Sequence, residues 1–263
     1  MTDDSARVVV ERDGAILRIG LNRPAKKNAA DRALLSALAE AYTRLEHEDG
    51  VRVGLLYAEG DDFTAGLDLG DIGGDLASGG IDFRRDDQVD PWGLAGPPRT
   101  KPVVVAVHGL CLTLGIELIL AADVAVATDS ASFGQIEVAR GILPFGGATA
   151  RFPAAVGWGN AMRWMLTAER FDAAEALRIG LVQQVVRDGT ELSTATAIAE
   201  RIAAQAPLAV SAVLAASRAA RAAAERDGLA DVGGALARLT TSADAAEGVQ
   251  AFHERRDPVW TGR

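Results

Sequence analysis

The sequence predicts an α/β fold that gives way to a helical C-terminal segment. Three observations carry this. The first sixty residues read strand, strand, helix, strand. Short β-branched runs then recur between helical stretches to about residue 186. Beyond Glu191 the chain is Ala-rich and helical, without a strand pattern. With 263 residues, 49% apolar and 24% charged, the composition is globular, and the length suits one large domain or a domain with an appendage.

Each element has its own signal. In "VVVERDGAILRIGL" (8–21) two strand-like runs flank Asp13-Gly14. That dipeptide suits a type I′ hairpin turn, whose two central positions both need positive φ. "NRPAKKNAA" reads as a loop. Over 31–48, Leu34, Leu35, Leu38, Tyr42 and Leu45 fall at helical spacing, with Asp31 near the start. "VRVGLLYA" (51–58) returns to a strand. From Asp68 to Asp90 there are seven aspartates, many glycines and little periodicity, the pattern of a solvated, mobile loop. Its spacing does not match a calcium loop, and a long loop in a compact domain is often a lid or a pocket wall. "KPVVVAV" (101–107) is a buried strand by composition, "LGIELILAA" (114–122) a helix and "DVAVAT" (123–128) a strand. "DAAEALRIG" (172–180) opens with Asp172 and Glu175 in capping-box relation and closes with Gly180. "LVQQVV" is strand-like. The helical remainder is expected to break at Pro207, at Asp227-Gly228 and near Gly233-Gly234. We therefore divide the chain into a core, 1–195, and a helical segment, 196–263.

Charge and cysteine usage exclude whole classes of function. The net charge of −9 argues against nucleic-acid binding, which needs a basic face. One cysteine, Cys111, leaves no internal disulfide and fits a reducing cytoplasm. Three scattered histidines and that cysteine argue against a zinc site. The N-terminus "MTDDSARVVV" lacks the apolar core of a secretory signal, and no run reaches the length needed to span a bilayer. The expectation is a cytoplasmic protein that binds neither membrane nor nucleic acid.

Three stretches carry candidate chemistry. In "VVVAVHGLCLTLGIELILAADV" (103–124), Glu117 stands among mostly apolar residues, where an unpaired carboxylate would cost several kcal/mol. It falls in the first turn of a helix after a Gly-bracketed turn, where free backbone N–H groups point at an anion or a carbonyl oxygen. A helix cap or an arginine partner would also explain it. Glu137, in "SFGQIEVARGILPFGGAT" (132–149), has similar company, and two carboxyls in one apolar pocket can divide acid and base roles. In "DDFTAGLDLGDI" (61–72), Gly66 permits a tight turn that frees the N–H of Leu67. An ordinary Gly turn fits as well.

Taken together, "LNRP…N", "FTAGLDL", "KPVVVAVHG", "LGIELILAADV", "FGQIEVARGILPFGGAT" and "DAAEALRIGLVQQVV" resemble the crotonase, or enoyl-CoA hydratase/isomerase, superfamily over roughly residues 8–190. The ending "FHERRDPVWTGR" is also similar. The resemblance implies a crotonase-like spiral of repeated strand–strand–helix turns, with C-terminal helices that help form a homotrimer, often paired into a hexamer. It implies an acyl-CoA substrate, with coenzyme A arriving as part of the thioester and no metal or other cofactor. The oxyanion-hole donors match the backbone N–H groups of Leu67 and Leu114. The two hydratase glutamates match Glu117, which helps activate water, and Glu137, which exchanges the proton at C2. Lys26 and Lys27 lie where relatives often contact CoA, though ordinary surface lysines read the same. Ala65, Gly66, Asp68, Gly115 and Phe145 complete the substrate-binding set. His108 and Cys111 read as structural, the first hydrogen-bonded and the second an apolar filler.

Three positions depart from the hydratase pattern. Leu114 replaces a usual Gly, Ile136 a frequent Pro, and Phe145 a Gly whose N–H helps hold the water. They imply an altered acyl pocket. Hydration of a 2-enoyl-CoA is the leading expectation. A double-bond isomerase using Glu137 alone, or a non-catalytic acyl-CoA binder, are the alternatives.

Overall fold

The computed structural model describes residues 6–77 and 81–263. Strands β1 (Val8–Asp13) and β2 (Ile16–Leu21) form an antiparallel hairpin, and α1 (Arg32–His47) leads to β3 (Val53–Ala58). Next come α2 (Leu69–Ala77), β4 (Val103–Val107), β5 (Leu110–Leu112) and α3 (Leu114–Ala121). The chain continues through β6 (Val124–Thr128), β7 (Ser132–Gly134), a 3₁₀ turn at Glu137–Arg140, α4 (Ala148–Val156) and α5 (Trp158–Thr167). After β8 (Phe171–Asp172), α6 (Ala173–Arg178) and β9 (Gln184–Val186) it is helical: α7 (Glu191–Ala203), α8 (Pro207–Leu229), α9 (Val232–Thr240) and α10 (Ala243–Glu254).

Two sheets result. The larger has the order β1-β2-β3-β4-β6-β9 and is parallel from β2 onward; the smaller is β5-β7-β8. The chain alternates between them, from β4 to β5 to α3, then from β6 to β7, then from β8 through α6 to β9. This repeated strand–strand–helix course is the spiral the resemblance implied. The central parallel strands are buried on both faces, so they are continuous apolar runs rather than alternating ones. Leu55, Val104, Ala106 and Val126 face Ala195 and Ala199 of α7, while Leu56, Val105 and Ala127 face the main core. The 195/196 boundary drawn from sequence thus falls inside α7, which packs on the sheet.

Several local expectations need correction. The hairpin's central pair is Gly14-Ala15, not Asp13-Gly14, because Asp13 pairs with Ile16. Of these two residues only Gly14 has positive φ (+58°), the requirement of a II′ turn rather than I′. The segment 68–90 is not simply a solvated loop: it contains α2, Ile72 is fully buried, and Val89 and Asp90 are buried. Residues 78–80 of that segment lie outside the described ones. The helical break at Asp227-Gly228 does not occur, since α8 runs through it. Gly233-Gly234 lies inside α9, and the chain turns at Ala230-Asp231 instead. Pro207 does start a helix, at the first position where its missing N–H costs nothing.

Candidate active site

A cavity of about 1090 Å³ gathers most of the residues singled out from sequence. Lys26, Lys27, Ala65, Leu67, Asp68, Leu114, Glu117, Glu137 and Phe145 line it. Gly66 and Gly115 are not among the lining residues. Their role is close packing: a Cβ on Gly66 would stand 2.3 Å from Thr113 Oγ1, and one on Gly115 would stand 2.6 Å from Thr64 Cγ2.

The contact of Gly66 with Thr113 places two turns side by side. The first turn is fixed by a parallel bridge between Ala30 and Leu67. In it Ala30 N–H donates to Gly66 O (2.8 Å) and Asp68 N–H donates to Ala30 O (2.9 Å). The N–H of Leu67 is left pointing the other way. The second turn is the entry to α3. Thr113, with φ +48° and ψ −109°, reverses the chain so that Leu114 begins the helix, where N–H groups lack intrahelical acceptors. Among the described residues no acceptor takes the N–H of Leu67 or of Leu114. Two neighbouring free donors in a cavity form an anion cradle. Strain at Thr113 left no trace in the sequence, because positive φ is signalled by Gly or Asn and rarely by a β-branched residue.

Glu117 and Glu137 are 4% and 5% exposed. Glu117 Oε1 accepts the N–H of Gly146 (2.7 Å) and of Ala148 (3.1 Å). Burial pushes its carboxyl up to about 7, against the pull of those two amides and of the Arg151 guanidinium. Glu137 opens the 3₁₀ turn. Burial, and then the charge of Glu117, push its carboxyl well above the usual range. Glu137 Oε2 has no hydrogen-bond partner among the described residues. Glu117 does not cap its own helix but accepts the first N–H of α4, and neither glutamate is one half of a direct arginine pair among the described residues. Both carboxyls are thus held above their usual range, Glu117 by burial and Glu137 by burial and the charge of Glu117.

The cations are less evenly placed. Lys27 Nζ pairs with Asp62 (2.9 Å) while lining the cavity. Asp68 is bound to Arg23 (2.7 Å), which holds its carboxyl below the usual range. Arg140 follows Glu137 by one 3₁₀ turn, and its guanidinium lies 4.4 Å from the centre of the Phe252 ring on α10. Phe252 and His253 also line the cavity, so α10 forms part of its wall. His108 is structural as expected, with Nε2 2.9 Å from Gly60 O. Cys111 is fully buried, and burial pushes its thiol upward, away from reactivity.

Sequence reasoning missed Trp92, Gly146, Ala148 and Arg151. Trp92 lines the cavity and sends its indole N–H to the Leu114 carbonyl (3.3 Å). The signals available were faint: a Trp in "DPWG", and one Arg in the otherwise uncharged "FGGATARFPAAV".

The family model described as enoyl-CoA hydratase/isomerase matches residues 11–263. The chain belongs to the enoyl-CoA hydratase/isomerase family. A carnitinyl-CoA dehydratase of Citrobacter koseri is 35% identical over 96% of this chain and 97% of its own length. The enoyl-CoA hydratase EchA19 of Mycobacterium tuberculosis is 32% identical over 97% and 96%. Among solved structures, a probable enoyl-CoA hydratase/isomerase from Mycobacterium abscessus is 48% identical, with a TM-score of 0.79 over 98% of this chain and 99% of that one. A carnitinyl-CoA hydratase from Mycobacterium avium is 35% identical, with a TM-score of 0.87 over 98% and 99%. In this enoyl-CoA hydratase/isomerase family member, then, the fold, the donor pair and the glutamates coincide in one cavity. Leu114 and Phe145 both line that cavity, and Leu114 is also part of the main core.

Proposed function

We propose that the protein adds water reversibly across the C2–C3 double bond of a 2-enoyl-CoA. The observation that carries this is the pair of buried glutamates lining one cavity with two free N–H groups. The thioester carbonyl accepts from Leu67 and Leu114, which stabilise the enolate-like charge that builds during addition. One such donor is worth on the order of 3 kcal/mol. Glu117, as carboxylate, takes a proton from water while the oxygen bonds to C3. Glu137, protonated, delivers its proton to C2. Each proton has its own side chain, so the reading calls for no cofactor beyond the CoA of the substrate.

The hydratase and dehydratase names of the relatives support the reaction class, since the two are one equilibrium approached from opposite sides. The isomerase alternative uses Glu137 alone and leaves Glu117, buried in the same cavity, without a role. Lys26 and Lys27, which line the cavity, are candidate contacts for the CoA phosphates. Exposed Trp158, Leu166, Leu208 and Val213 offer apolar surface for self-association into the homotrimer or hexamer expected from the resemblance. The deciding assay is turnover of a crotonyl-CoA to medium-chain enoyl-CoA panel with products identified by mass. Hydration adds the mass of water. An unchanged mass with a moved double bond means isomerisation, and no turnover means a binder.

A further inference from the structure

Arg151, in α4, is 7% exposed and joins three parts of the site. Its guanidinium donates to the carbonyls of Trp92 and Gly93 and to Glu225 on α8. Asp90 grips the same loop by accepting the N–H groups of Trp92, Leu94 and Ala95. Trp92 then reaches the carbonyl of Leu114, whose own N–H belongs to the donor pair. One side chain thus ties α4 to the cavity wall and, through the indole, to the start of α3. Neighbouring glycines connect it to Glu117: a Cβ on Gly147 would stand 3.3 Å from Arg151 Nη1 and one on Gly146 2.2 Å from Glu117 Oε2, while Glu117 accepts the N–H of Ala148, one turn before Arg151 in α4. The guanidinium draws Glu117 toward ionisation, and the charge of Glu117 in turn bears on Glu137. Glu225 on α8 also pairs with Arg221 (3.5 Å), and Asp90 is the further charge of the gripped loop.

We propose that Arg151 is a positioning residue for the reaction: its guanidinium, shared between Glu225 and the Trp92–Gly93 carbonyls, seats the Trp92 wall and places a positive charge on the Glu117 side of the cavity. The inference rests on the hydration reading for its kinetic consequence, but not for its electrostatic one. A merely structural arginine would disturb the site in one direction whichever partner was lost. An electrostatic one gives opposite signs. Arg151→Gln removes a positive charge, so Glu117 holds its proton to higher pH. Glu225→Gln leaves the guanidinium without its neutralising partner, so Glu117 gives up its proton at lower pH. Arg151→Lys keeps the charge, yet its compact ammonium cannot serve the three acceptors together.

The test compares these three full-length variants with the wild type by two readouts. In pH profiles of kcat/KM on an enoyl-CoA, Arg151→Gln should move the acid limb up by about one pH unit, as loss of a nearby opposite charge does. That corresponds to about tenfold lower kcat/KM at a fixed pH on the limb. Glu225→Gln should move the limb down. Arg151→Lys should leave it near the wild-type position while raising KM for longer acyl chains. The second readout is the infrared carbonyl stretch of protonated Glu117, assigned by its loss in Glu117→Gln and titrated without substrate. It should move in the same directions even if no enoyl-CoA is turned over, which separates failure of this inference from failure of the hydration reading. Shifts of the same sign in Arg151→Gln and Glu225→Gln, or an unmoved band in both, would overturn it. If Arg151→Gln does not fold, an unmoved band in Glu225→Gln overturns it alone.

Discussion

Glu117 and Glu137 are the same amino acid in one cavity, yet their surroundings differ. Two backbone amides and a guanidinium draw Glu117 back toward ionisation, whereas Glu137 Oε2 has no partner. If the hydration reading holds, Glu117→Gln and Glu137→Gln each lower kcat by roughly 10²-fold or more, the usual scale for a positioned acid or base. The double variant should lose less than the product, because both act on one transition state. Steady-state kinetics decide this, and a near-wild-type Glu117→Gln would favour the isomerase. The same burial has a thermodynamic cost. A carboxyl raised from 4.5 to about 7 stabilises the fold only in its protonated form, so its contribution is present at low pH and lost as pH rises. Glu117→Gln, whose amide oxygen can still accept from Gly146 and Ala148, should therefore gain stability over wild type between about pH 4.5 and pH 7. The gain is on the order of 3 kcal/mol, measurable by urea unfolding at pH 4 and pH 8. Sequence pointed to both glutamates because a carboxylate in an apolar run demands an explanation. It did not point to Gly146, since a donor N–H carries no residue signature.

At the scale of elements, the donor pair depends on two turns that touch. Gly66 has φ +99° and no room for a methyl group beside Thr113. Gly66→Ala should shift the Leu67 N–H and lower kcat, up to the 10²–10³-fold typical of a lost oxyanion donor, while circular dichroism stays native. Leu114→Gly keeps its backbone donor and removes only a side chain. It should leave kcat within a few-fold on short substrates and alter chain-length preference, read from kcat/KM across the panel. Elements with dense apolar patterning were legible: α1, β3, β4 and β6 fall within two residues of their expected bounds. Elements made by tertiary contacts were not. Helix α2 contains three glycines, each costing about 1 kcal/mol against Ala. It is held by buried Ile72, by Asp71 accepting the N–H of Arg32, and by Asp75 pairing with Arg32. Asp227-Gly228 stays helical because Gly228 lies against Ala150 of α4, a packing constraint invisible locally.

At the scale of the whole molecule, the chain resolves into a spiral that builds the cavity and helices that help close it. No single helix among the described residues is long and apolar enough to cross a membrane. If the proposed trimer forms, sedimentation should report three times 27.4 kDa, or six times for a hexamer, and replacing Trp158 and Leu208 with charged residues should shift the mass toward the single chain. A single-chain mass in the wild type would set the assembly proposal aside. Inside the molecule, freedom to change is unevenly spread. A Cβ on Gly146 would stand 2.2 Å from Glu117 Oε2, one on Gly248 would stand 2.7 Å from the Arg140 backbone, and Gly66 is equally confined. Leu114 and Phe145 border open space instead. A random library screened for new substrates should therefore return few survivors at the three glycines and many at the two bulky positions. If the hydration reading holds, retargeting would proceed by carving the cavity walls, with the reaction centre handed on unaltered from one generation of variants to the next.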